Sequence, residues 1–165
     1  TIIDNVIYKL QKKYSSVCDI KLNLIGANSS LDLKSKYNLI KWSEDVEAKE
    51  IDKINVGVMP LFDTPFENGK CGYKLIQYFA CKKPVLASPI GVNSKIIDHG
   101  IDGFLCFSED DWEDALEFLI NNVDKQSAMG NLGFSKVKHV YNYRVQAEVI
   151  NKSISSLKLN NVLPT

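Results

Sequence analysis

With 165 residues, 45% of them hydrophobic and 24% charged, the chain has the length and composition of one soluble globular domain that can bury its own core. Twenty basic and twenty acidic residues cancel, which argues against a nucleic-acid partner, and the apolar runs are far too short to span a bilayer. The N-terminus has no signal-peptide pattern. The four cysteines (Cys18, Cys71, Cys81 and Cys106) show no C-x-x-C spacing and read as reduced thiols of a cytosolic protein. His99 and His139 stand apart from other ligand-type residues, so no metal site is expected.

Ile2, Ile3, Val6, Ile7 and Leu10 recur at helical spacing and predict a helix over Ile2 to Tyr14. Asp19 to Gly26 reads as a strand, Asn28-Ser29-Ser30 as a turn, and Leu39 to Trp42 as a second strand. Ser43 is a candidate N-cap for a helix ending near Ile54, whose acidic first turn (Glu44, Asp45, Glu47) suits the helix dipole. A third strand, Asn55 to Met59, leads into a loop rich in turn formers, Pro60 to Cys71. A helix then opens at Gly72 and runs to Ala80 or Cys81, with Leu75, Ile76, Phe79 and Ala80 at helical spacing.

Pro84 to Ser88 is a short buried strand, and Asn93 or Ser94 caps a short helix through Ile97. Gly103 to Phe107 is the last strand. Ser108 to Asp111 resembles a capping box at the head of a helix that buries Trp112, Ala115, Leu116, Phe118 and Leu119. Two more helices follow, Lys125 to His139 and Arg144 to Leu157, so the expected domain spans 1–157 with a flexible polar tail over 158–165.

Short apolar strands alternating with helices predict a three-layer α/β/α fold with a mostly parallel sheet. Ligands of such sheets bind beyond the carboxyl ends of the strands. The loops there are Gly26 to Ser30, Pro60 to Cys71 and Ser88 to Ser94, and the last two are expected to wall one pocket. A strand, a glycine-containing loop with Lys70 and Lys74, and a helix presenting the N–H groups of Gly72, Tyr73, Lys74 and Leu75 make a candidate anion site. Tyr73 and Gln77 share a helix face. An ordinary strand-to-helix crossover with solvated lysines is the plainer reading of the same residues. The chain also opens on a helix where a doubly wound domain opens on a strand, which predicts a further strand upstream of Thr1.

Four pieces in order, Val56-Gly57-Val58-Met59-Pro60-Leu61, Gly69 to Ala80, Lys83 to Val92 and Ile96 to Leu105, resemble the C-terminal, donor-binding domain of group 1 glycosyltransferases with the GT-B fold. The resemblance spans Ile2 to about Leu157. It implies a Rossmann-like domain that holds a nucleotide-activated sugar, and a partner N-terminal domain for the acceptor that is absent from these residues. It further implies a retaining, metal-independent hexosyl transfer without a cofactor, the nucleoside-diphosphate sugar being a co-substrate. A role in polysaccharide or glycoconjugate synthesis in the cytoplasm follows, with any peripheral membrane contact made through the absent part.

The family's Glu-x7-Glu pair aligns with Gly69 and Gln77, so both glutamates are replaced; Gln77 retains an acceptor oxygen for ribose hydroxyls, and Glu67 lies two residues before the first position. The resemblance places Trp42, at the end of the second strand, near the base, and Asn93 and Ser94 near the sugar and phosphates. The core or interface for Trp42, and simple helix capping for Asn93 and Ser94, are the plainer alternatives. Loss of both glutamates also fits a non-catalytic GT-B-like module kept for structure or partner binding. A sugar-nucleotide epimerase of the same fold is a third reading, for which these residues place no histidine or carboxylate.

Overall fold

The computed structural model of the chain describes residues 2–27 and 31–160. Eight α-helices and five strands alternate among them: α1 Ile2–Lys13, β1 Leu22–Ile25, β2 Tyr37–Ile40, α2 Glu44–Lys53, β3 Gly57–Met59, α3 Pro65–Asn68, α4 Tyr73–Ala80, β4 Val85–Ala87, α5 Asn93–Ile96, β5 Gly103–Leu105, α6 Glu109–Asn121, α7 Val123–Lys136 and α8 Tyr143–Asn160. All strand pairing is parallel, β1 with β2 and β3 with β4 with β5. The expected α/β fold with a parallel sheet is the one observed. No helix among the described residues is long and apolar enough to cross a membrane.

The stripe that predicted α1 is the stripe it buries: Ile3, Val6, Ile7 and Leu10 pack with Trp112, Ala115, Leu116 and Leu119 of α6 and with Leu86 of β4. At the head of α1 the buried Asp4 carboxylate accepts from the N–H of Ser35 (2.9 Å), its hydroxyl (2.7 Å) and the N–H of Lys34 (3.1 Å). Burial works against that charge, but these donors outweigh it and hold the Asp4 pKa below its ordinary value. α6 opens with a complete capping box between Ser108 and Asp111. The opposite face of β4 meets α4 and α5, through Val85, Ala87, Leu75, Phe79, Ile96 and Ile97.

β1 and β3 do not pair. Between them lies a slot of roughly 530 Å³, lined by Leu22 and Asn23 on one side, Val56 and Val58 on the other, with Leu116 and Tyr78 above and below. The strand sequence β2-β1 and β3-β4-β5 corresponds to 3-2 and 4-5-6 of the doubly wound order 3-2-1-4-5-6. The slot falls where strand 1 of that order runs.

Several expectations shift. β2 begins at Tyr37 and stops at Ile40, so Lys41 and Trp42 lie beyond the strand. The ladder ends there because Gly26, bonded through its N–H to the Ile40 carbonyl, turns β1 away at φ +73°. The loop after β3 contains the extra helix α3, capped by the Thr64 hydroxyl, which accepts from the Glu67 N–H. α5 is N-capped by Val92, in place of Asn93 or Ser94. Phe118 stays 41% exposed at the edge of α6, in edge contact with Phe104. A π-helical turn, Val137–Tyr141, separates α7 from α8. The expected turn at 28–30 and most of the tail, 161–165, lie outside the described residues.

α7 fixes the elements that bear the site. A methyl group on Gly133 would meet the Phe79 ring of α4 at 2.1 Å, and one on Gly130 would meet the Lys82 carbonyl at 2.0 Å. These two approaches need glycine whatever its conformational cost. Lys136, at the end of the same helix, reaches the Ile96 carbonyl (2.8 Å), Asp98 (2.8 Å) and the fully buried Asp102.

Candidate functional site

The loop after β3 and the loop after β4, expected to wall one pocket, are in contact. The Leu61 N–H donates to the Ser88 hydroxyl (2.9 Å), and a Cβ at Gly91 would lie 2.5 Å from the Asn68 carbonyl. Gly72 sits between them as the N-cap of α4, at φ 68°. That left-handed backbone suits glycine, and space demands it too: a Cβ would fall 2.3 Å from Ile96 Cδ1 and 3.1 Å from Val92 Cγ2. A larger residue would push α5 off the mouth of the pocket.

α4 therefore points its N-terminus into the junction of the two loops. The first-turn N–H groups of Tyr73 and Lys74 have no intrahelical acceptor by helix geometry, and the helix dipole adds partial positive charge. The Leu75 N–H is already bonded to the Gly72 carbonyl (3.0 Å), and its side chain is buried core. Leu75 thus supports the cradle and offers no donor to it.

The other expected residues separate into two groups. Asn93 is 1% exposed and donates through Nδ2 to the Ser88 carbonyl (3.0 Å), so its side chain braces the second wall; Ser94 is exposed beside it. Lys70 leans toward α3, 3.6 Å from Glu67 Oε1 and 5.6 Å from the centre of the Phe66 ring. The Glu67 carboxylate turns back on its own loop to accept from the Phe62 N–H. Phe62 and Phe66 are left exposed on the rim.

The second group gathers around Glu47 of α2. Lys74 Nζ lies 2.5 Å from Glu47 Oε1, and Gln77 Nε2 donates to Glu47 Oε2 at 2.9 Å. The Lys74 ammonium, the Gln77 amide and the Trp42 side chain hold the Glu47 pKa below its ordinary value against its burial. Burial, with the Glu47 charge nearby, pushes the Tyr78 phenol up to about 12. Trp42 is 54% exposed; its Cβ lies 3.0 Å from where a Cβ on Gly26 would stand. Gln77 Oε1 is buried and has no hydrogen-bond partner among the described residues.

Glu47 is the residue that reading the sequence missed. In the chain it is one of three acids in a helix's first turn, a pattern that the dipole alone explains. Nothing local announces a contact across 27 residues with Lys74. The only available hint is placement, since α2 starts directly beyond the carboxyl end of β2.

From Gly72 outward the site thus runs through backbone N–H donors and a lysine, then a carboxylate beside an unsatisfied amide oxygen, then a half-exposed indole. It can hold an anion at one end, hydroxyls in the middle and a flat ring at the other.

A family model described as Glycosyl transferases group 1 matches residues 1–122. Among solved structures, sucrose-phosphate synthase from Thermosynechococcus elongatus superposes with a TM-score of 0.71 at 17% identity, over 94% of this chain and 43% of its own. HepE of Anabaena, in complex with UDP-glucose, gives 0.66 at 13% identity, over 92% and 53%. The C-terminal domain of the group 1 glycosyl transferase LpcC from Francisella tularensis gives 0.57 at 18% identity, over 82% and 62%. No curated protein matches the chain by sequence. The chain spans about half the length of these structures, and the shared architecture is that of a GT-B domain.

Proposed function

The chain belongs to the group 1 glycosyl transferases, and on that premise we propose that it is the domain that binds a nucleoside-diphosphate sugar for transfer of the hexosyl unit to an acceptor. The observation that carries this reading is the N-terminus of α4, opened by Gly72 at φ 68° between the two touching loops. Cleavage of the donor leaves a nucleoside diphosphate whose charge grows on the leaving oxygens. Preorganised N–H groups of Tyr73 and Lys74, with the positive end of the α4 dipole and the Lys74 ammonium, stabilise that charge without a metal ion. Trp42 offers its exposed face to the base. HepE was solved with UDP and with UDP-glucose, which supports the same ligand class here.

Retention of configuration, and a place in polysaccharide or glycoconjugate synthesis on the cytoplasmic side, belong to the same proposal. So does an acceptor-binding domain outside residues 1–165, without which this domain alone does not turn over. The slot between β1 and β3 supports a further strand of the longer protein running there.

The test is calorimetric titration of the protein with UDP, GDP, ADP and CDP. Binding of one of them with a Kd between about a micromolar and a millimolar is expected. Absence of heat and of chemical-shift change with all four overturns the reading.

A second reading, a GT-B-like module without catalysis, is favoured by the bare backbone at Gly69 and by the engagement of Lys74 and Gln77 with Glu47. Unchanged sugar transfer by the longer protein after Gln77→Ala and Lys70→Ala would select it.

A further inference from the structure

The region between the α4 N-terminus and Trp42 has a chemistry of its own. Three observations define it. Glu47 accepts one bond on each carboxylate oxygen, from Lys74 and from Gln77. An ionised carboxylate has about four lone-pair sites, so each oxygen retains room for another donor. Gln77 spends its amide N–H on Glu47 and leaves Oε1 buried without a partner, a condition that costs about 1–3 kcal/mol in a folded protein.

Both groups therefore want hydrogen-bond donors, and neither wants an anion. A carboxylate repels phosphate, so the charged part of a nucleotide is kept at the Gly72 end. The covalent order of a nucleotide is base, ribose, phosphate. With the phosphates at Tyr73 and Lys74 and the base toward Trp42, the ribose lies over Glu47 and Gln77. Its 2′- and 3′-hydroxyls form a vicinal pair of donors, matched to one carboxylate and one amide oxygen. The terminal torsion of glutamine is broad, and turning Oε1 toward a ligand carries Nε2 with it in the rigid amide plane, so Gln77 exchanges its bond to Glu47 for one from a ligand hydroxyl.

We propose that Glu47, on helix α2, is the residue that reads the ribose diol of the donor nucleotide, with Lys74 holding its carboxylate in place and Gln77, once turned, supplying the second acceptor. This rests on the donor-binding reading above. It assigns the recognising carboxylate to a helix separate from α4, and it gives Lys74 two tasks, neutralising Glu47 and facing the phosphates. Glu47 thereby acts as a ribose-specificity residue and not as a catalytic one.

The experiment compares UDP and GDP with their 2′,3′-dideoxy forms by calorimetry, on the unaltered protein and on Glu47→Gln. The unaltered protein is expected to bind the hydroxyl-bearing nucleotide about ten-fold or more tighter than its dideoxy form, one decade being about 1.4 kcal/mol. In Glu47→Gln that ratio falls toward one, and the dideoxy form binds no more weakly than to the unaltered protein, because the Lys74 ammonium is released to the phosphates.

Equal weakening of both forms would show that Glu47 only holds Lys74 and α4 in place, and would overturn the inference. Equal affinity of the unaltered protein for both forms would overturn it without any variant, so a Glu47→Gln protein that fails to fold does not shelter it. No binding of either UDP or GDP to the unaltered protein would remove the inference; whether the donor-binding reading falls with it is then decided by ADP and CDP.

Discussion

β4 and β2, two short parallel strands, end in opposite surroundings. Val85, Leu86 and Ala87 of β4 are each fully buried, whereas Leu39 of β2 is 43% exposed. β4 has a strand on either side, α1 and α6 over one face, and α4 and α5 over the other. Among the described residues β2 pairs only with β1, whose far edge faces the slot. The N-terminus of α4 hangs from the first region, and Trp42 with Glu47 from the second. The α4 N-terminus is therefore packed on a strand with neighbours on both sides, while Trp42 and Glu47 follow a strand pair with one open side.

The sharpest way to break that contrast is to damage each region equally. Phe79→Ala removes a fully buried ring wedged between β4 and Gly133, and is expected to cost about 3–5 kcal/mol in denaturant unfolding. Leu39→Ala, on the half-open strand, is expected to stay within roughly 1 kcal/mol. Comparable losses would mean that the two regions share one core after all.

Hydrogen exchange sharpens the same contrast without mutation. Backbone amides of β4 should be the slowest in the sheet, and those of β1 on the slot side should open well before global unfolding. Protection of β1 equal to that of β4 would argue that the slot is closed in solution.

The smallest effect concerns acid. Glu47 is held below its ordinary pKa of 4.5 by Lys74 first and Gln77 second. A carboxylate depressed in the folded state stabilises it above the unfolded pKa, and that contribution fades as pH falls through the folded value. The stability gap between the unaltered protein and Glu47→Gln should therefore be present at about pH 7 and shrink below about pH 4. A gap that persists unchanged at about pH 3 would mean that Glu47 contributes through packing instead of charge.

What could be read from residues alone follows the range of the interaction. The α1 stripe, the Ser108–Asp111 box and the opening of α4 after Gly72 are local patterns, and each stands where expected. Phe118 went astray because helical spacing cannot tell the centre of a buried stripe from its edge. β2 was displaced because its end is set by Gly26 in another strand. Asn93 was misjudged as a cap since its true partner, the Ser88 carbonyl, lies in a loop whose course depends on β4. At the site, Lys70 turns toward Glu67, and Glu47 enters from α2 to meet Lys74, a contact that local spacing does not signal.

Lys136 bears on how the domain can be cut. The family match ends at residue 122, yet Gly130, Gly133 and Lys136 lie beyond it on α7. Through them the helix presses on Phe79 and Lys82 and ties down Ile96, Asp98 and Asp102. A fragment trimmed to the matched segment would keep every residue of the proposed site and lose the splint behind α4 and α5. Its pocket would then have the right chemistry on an unsupported frame, so an excised domain should extend through α7 before its binding is measured.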